Sequence, residues 1–259
     1  MPALDPTGRL PGVEGAIERK LHRRGLWQDD QAMSDAGEDQ VDTQRVVDAL
    51  QRYVFQPGET VQRSSSGPGA VSVRSSRMYY RAGQADWELG ADERIGSAVR
   101  VVGIREPMVV THGLLLPADG SALHLNRPEV MADLGGWVDQ GLAPIGYAQM
   151  LAELYSDRDV EGPVVYPFAA TEGFRSGWLV RSPDHFSGEF RVPDAPPVSV
   201  PSFDRQSDGG WLLRFWSHNY YLLEGLASAV DVYEWEVVGA SGRPVTWSRK
   251  RTGEQLRRR

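Results

Sequence analysis

The chain has 259 residues, 41% hydrophobic and 24% charged, with 35 acidic against 28 basic side chains and a net charge of -7. That length can bury a substantial core, and the composition excludes a coiled coil, a collagen or a coreless acidic tail, while the charge argues against a protein built to coat nucleic acid. Cysteine is absent, which removes disulfides, thiolate metal sites, iron–sulfur clusters and cysteine nucleophiles together.

The opening stretch, Met1 to Pro6, lacks the basic and apolar regions of a signal peptide. No apolar run approaches the roughly 18 residues of a membrane span, so a cytoplasmic protein with no membrane partner is expected. Residues 1–41 read as a flexible lead with one short helix, in which Val13, Ile17 and Leu21 recur every fourth residue up to Gly25. An acidic linker with Asp29, Asp30, Asp35, Glu38, Asp39 and Asp42 follows. Residues 42–259 read as a single α+β body, with room for two subdomains meeting near residue 160. Its first helix is signalled by Asp42 or Thr43 as N-cap, by Val46, Val47, Leu50, Tyr53 and Val54 on one face, and by Pro57-Gly58 as the stop.

The period then changes. A Ser/Gly-rich loop from Ser64 to Gly69 leads into strand-like runs at Val71–Val73, Met78–Tyr80 and Trp87–Leu89. Ala98 to Arg105 is the clearest strand, and its β-branched run resumes after Pro107. Leu114–Leu116 and Ala122–Leu125 flank an Asp119-Gly120 turn, which predicts a hairpin. Helices are expected after Pro128 and after Pro144. Later come strands at Val164–Phe168, Gly177–Arg181, Phe186–Val192 and Trp211–Trp216, with Val198–Val200 as an edge strand. A helix is expected over Tyr220 to Ala229, and a terminal hairpin pairs Val230–Val238 with Val245–Arg249. The basic tail, Arg249, Lys250, Arg251, Arg257, Arg258 and Arg259, reads as a frayed solubilising end. Short connections imply a largely antiparallel, strongly curved sheet packed by a few short helices.

Phosphate loops are missing, since neither G-x-G-x-x-G nor a Walker-type lysine motif occurs. No cofactor is therefore expected. No metal site is expected either, because neither H-x-x-x-H nor H-E-x-x-H occurs among His22, His112, His124, His185 and His218. His22, His112 and His124 read as structural or surface residues. Asp184-His185 and Ser217-His218-Asn219 fall where strands meet turns, and an imidazole there, beside Glu172 or Glu189, suits a general base. His185, His218 and Glu172 are the candidate catalytic residues. A hydrolase triad is argued against by the absence of G-x-S-x-G. Aromatic residues crowd the last 50 positions, and Trp211, Trp216 and Tyr220 are candidates for an aromatic-walled cavity, although core packing explains most of them.

Arg105-Glu106 closes the β-branched strand, and Gly141-Leu142-Ala143-Pro144-Ile145-Gly146 opens a helix. On those residues the stretch from about 70 to 155 resembles the chorismate lyase-like family, which includes effector-binding domains of bacterial regulators. The resemblance implies a buried pocket for an aromatic acid, with Arg105 on the carboxylate and Ile145 in the apolar wall. The family's lyases carry a late hairpin glutamate, whereas here Thr246, Trp247 and Ser248 follow the hairpin turn.

The expectation is a cofactor-independent enzyme with an enclosed pocket for a carboxylated aromatic or apolar metabolite. Its chemistry would be that of a lyase, cyclase or isomerase of secondary metabolism. The partner is a small molecule, with homodimerisation left open and nucleic acid argued against by the charge. The alternative is a non-catalytic small-molecule-binding or protein-interaction module. Burial of Arg105 with a histidine in one cavity would favour the enzyme, and exposure of Trp211 or Trp216 in an apolar patch would favour the module.

Overall fold

Helix α1, Thr43–Tyr53, forms where the sequence predicts it: the Asp42 side chain accepts from the Arg45 backbone N–H at 3.1 Å, and Val46, Ala49 and Leu50 form the buried stripe. A computed structural model describes residues 42–59, 61–67, 70–75, 79–105, 108–155, 164–167, 176–187, 191–222, 228–240 and 243–257. The expected lead, its helix and the acidic linker lie outside the described residues, as do Glu172 and Glu189.

The class is α+β, and among the described residues every strand pairing is antiparallel and the strands form two sheets rather than the single curved one expected. The first runs in the order β1 (Val61–Gly67), β2 (Ala70–Ser75), β3 (Tyr79–Gln84), β4 (Ser97–Arg105), β5 (Met108–Leu116) and β6 (Leu123–His124), with β7 (Val164–Pro167) also paired to β5. The second runs β12 (Arg243–Arg257), β11 (Ser228–Ala240), β10 (Trp211–Leu222) and β8 (Ser176–Leu179), with β9 (Ser202–Arg205) also on β10. Neither is strongly curled.

Helices α2 (Pro128–Gly135) and α3 (Pro144–Tyr155) lie between the sheets. Their Met131, Leu134, Tyr147, Leu151 and Leu154 share one core with Ala98 and Leu115 of the first sheet and Trp211, Leu213, Phe215 and Trp235 of the second. The opposite face of the first sheet supplies Val71, Val73, Val99, Val101, Leu114 and Leu116 to α1. The opposite face of the second sheet packs Val230 and Val232 under Val180, Phe186 and Val192. The order of layers is therefore α1, first sheet, α2 and α3, second sheet, and the segment after β8. Each fully buried Leu, Phe or Val contributes roughly 1.5–3 kcal/mol to this stack.

Two close approaches fix the helical layer. A Cβ on Gly113 of β5 would sit 2.6 Å from Leu154 Cδ1 and 2.9 Å from the Trp87 ring, so glycine lets α3 press onto the first sheet. Trp87 Nε1 then donates to Glu153 Oε2 at 2.9 Å, and Glu153 also pairs with Arg100 of β4. Charge and packing thus hold α3 at the same spot.

Several expectations are corrected. The helix over Tyr220–Ala229 is absent: Tyr220–Leu222 extend β10 and Ser228–Ala229 begin β11, pairing in register as Tyr220↔Val230, Tyr221↔Ala229 and Leu222↔Ser228. Two adjacent tyrosines favour a pleated strand, and the long partner strand decides the matter. Of the expected Ser64–Gly69 loop, Ser64 to Gly67 instead belong to β1, which pairs with β2, and Pro68 and Gly69 lie outside the described residues. Trp87–Leu89 and Val198–Val200 form no strand, and Phe186 lies in a turn. The tail does not fray up to Arg257, because β12 pairs with β11 as far as Ala229↔Arg257.

Candidate functional site

The middle of β10 presents different chemistry on its two sides. Alternation sends Trp216 and His218 to the outer face and Phe215, Ser217 and Asn219 to the inner face. His218 is only 1% exposed and lies between Trp178 of β8 and Val232 of β11 in register. Its ring stacks on Trp178 at 5.4 Å and 25° between planes, and meets the edge of Phe186 at 5.6 Å. His185 completes the group, its ring centroid 4.7 Å from that of His218.

The position of His185 follows from the local chain. Val180 N–H donates to Trp216 O at 2.8 Å, carrying the backbone one residue past β8 along β10. A tight turn follows, in which His185 N–H donates to Ser182 O at 3.2 Å and Ser187 N–H to Asp184 O at 3.1 Å. Val192 N–H donates back to Phe186 O at 2.8 Å, closing the loop, and the intervening Arg191 adopts a left-handed backbone with φ 45°. That conformation is strained for arginine, as is common where a loop is shaped for a site. His185 is half-buried, and burial holds its pKa below the ordinary histidine value, so the ring is neutral at pH 7. Trp178 is 41% exposed, which leaves an indole accessible beside the paired imidazoles.

On the inner face the apolar stripe turns polar. Ser217 accepts from Trp235 Nε1 at 2.8 Å, and Asp231 Oδ1 accepts from Gln255 N–H at 2.7 Å. Arg249 of β12 lies over the rings of Tyr233 and Trp235 at 5.1 and 5.8 Å and donates to Tyr155 O at 2.6 Å.

A second histidine pair lies in the first sheet. His112 Nδ1 and His124 Nε2 are 3.1 Å apart, both rings are buried, and Tyr53 of α1 stacks on His124 at 5.7 Å. Burial first, and then the His124 charge, push His112 down to about 3. The sequence analysis missed this pairing. The register Leu114↔His124 is what brings residues 12 apart into diagonal contact, and a hairpin register was the available signal.

No family model, curated protein or solved structure matches the chain.

The other expected site residues are scattered. Trp211 is 1% exposed in the central core, and Trp216 packs half-buried on the outer face, so the two belong to opposite sides of one strand and cannot wall one cavity. Ile145 packs partly buried against the central core from the first turn of α3. Tyr220 is a β10 residue, Arg105 is the last residue of β4, and the side chains of both lie outside the described residues. Two surface clefts, of about 300 and 270 Å³, are lined by groups such as Asp133, Asp139 and Arg243, and by Asp92, Arg94 and Asp119. Neither contains a histidine. Among the described residues, no group of three or more His, Asp or Glu is placed to hold a metal ion.

Proposed function

We propose that the chain is a cofactor-independent enzyme that moves a proton on a carboxylated aromatic or apolar small molecule, in an elimination, cyclisation or isomerisation. One observation carries the reading: neutral, half-buried His185 rests on buried His218, which stacks on the accessible indole of Trp178. In this reading Trp178 is the platform for the aromatic part, His185 takes and returns the proton, and His218 orients it. In this reading Arg191, which precedes the Val192 N–H bonded to Phe186 O, receives the carboxylate. Arg105 ends a strand of the other sheet and is not needed at this site.

Phenylpyruvate, an aromatic keto acid with acidic carbon-bound protons, tests the chemistry directly. In D₂O the wild type is expected to exchange those protons with solvent at least tenfold faster than His185→Asn, with Trp178→Ala weakening binding and Arg105→Ala leaving both unchanged. Exchange no faster than in buffer rejects the enzyme. The exposed Trp178 also favours a second reading, a non-catalytic binding module, in which Trp178→Ala abolishes the thermal shift given by phenylpyruvate while no exchange occurs at any variant.

A further inference from the structure

Asn219 is the polar residue least explained by the fold. It continues the inner-face stripe of Trp211, Leu213, Phe215 and Ser217 and is 0% exposed. Neither its Oδ1 nor its Nδ2 has a hydrogen-bond partner in the structure, although a buried amide is normally satisfied. The neighbours on that face are committed elsewhere: Ser217 to Trp235, Asp231 to Gln255, and Arg249 to Tyr155. Asparagine is also a poor strand former, so strand stability does not account for it. On the β8 side its register partner is Gly177, which brings no side chain against the amide.

We infer that Asn219 is the recognition residue of a second site, on the inner face of the second sheet, for a small neutral ligand carrying a lactam or primary carboxamide. A primary amide offers an acceptor and a donor side by side, and its complement is a group that places a donor beside an acceptor in the same plane. Charge narrows the class. Asp231, directly opposite Asn219 in the β10–β11 register, opposes an anion, while Arg249 and Arg251, in register with Trp235 and Tyr233, oppose a cation. A neutral planar amide meets neither penalty. The site is independent of the histidine pair, because His218 and Asn219 point to opposite faces of β10.

The test is a titration of the ¹⁵N-labelled full chain with 2-pyrrolidone, followed at the side-chain amide resonances of Asn219. Saturable shifts are expected there, with a Kd at least tenfold weaker for N-methyl-2-pyrrolidone, which lacks the N–H donor. His185→Asn is expected to keep the response, which separates this site from the proton-transfer site. Asn219→Leu is expected to lose the 2-pyrrolidone thermal shift. Should that variant fail to fold, the wild-type titration still decides. Equal affinity for the two lactams, no response at Asn219, or exchange cross-peaks to water alone would overturn the assignment.

Discussion

The two sheets each hold a pair of histidines, and the pairs are built to opposite ends. His112 and His124 lie beneath α1, both buried, nitrogen to nitrogen at 3.1 Å, with Tyr53 stacked over one of them. His185 and His218 meet ring to ring at 4.7 Å, one half-buried on a turn and the other buried in a strand. The first arrangement buries both rings against each other and closes them to a ligand. The second leaves an imidazole near solvent, next to an exposed indole. Burial of the partner is common to both, and accessibility of one member is what separates a structural pair from a candidate reactive one.

Acid separates the pairs most strongly. The folded pKa of His112, about 3, lies below the roughly 6.5 of an unfolded histidine, so the unfolded chain binds the proton first. Stability from this group is complete above pH 6.5 and falls as pH drops toward 3, by up to about 1.4 kcal/mol per pH unit. Urea unfolding between pH 7 and pH 4 is expected to show this slope in wild type and a flatter one in His112→Leu.

Smaller effects sharpen the same contrast. His124→Ala leaves His112 Nδ1 without the His124 ring nitrogen and opens a gap beside Tyr53, with an expected loss of about 2–3 kcal/mol in urea unfolding. Glu153→Gln keeps shape but removes the carboxylate shared by Arg100 and Trp87, and a loss of about 1–2 kcal/mol is expected because Arg100 is partly buried. At the other pair, His185→Asn and Trp178→Ala are expected to change stability by less than about 1 kcal/mol while removing proton exchange and weakening ligand binding respectively. A large stability loss on His185→Asn would make both pairs structural and break the contrast.

Local signals were read correctly where one element decides its own form. The Asp42 cap with its apolar stripe, Pro128 and Pro144 at helix starts, and the β-branched run to Arg105 all appear in the fold. The misreadings share a cause. Tyr221, Leu222, Leu226 and Ala229 fit a helical spacing, yet a 12-pair register between β10 and β11 outweighs that local preference. The division into two sheets also depends on which strands pair at a distance, and no window of sequence contains that information. For the site, His185 and His218 stand out in the sequence as residues at strand ends; His185 does lie on a turn, whereas His218 lies inside β10, and their rings meet at 4.7 Å. Trp178 was missed, since its relevance comes from lying opposite His218 across the β8–β10 register. Alternation in the sequence already sets Trp211, Leu213 and Phe215 on one face and Trp216 on the other, and the two tryptophans do lie on opposite sides of β10.

The most direct measurement is an NMR titration of the histidine ring signals between pH 8 and pH 4.5, with and without phenylpyruvate. His112 is expected to stay unprotonated until the chain unfolds, and His185 to titrate below the ordinary histidine value and to shift on addition of the ligand. A His185 that titrates as a free histidine and ignores the ligand would contradict the account.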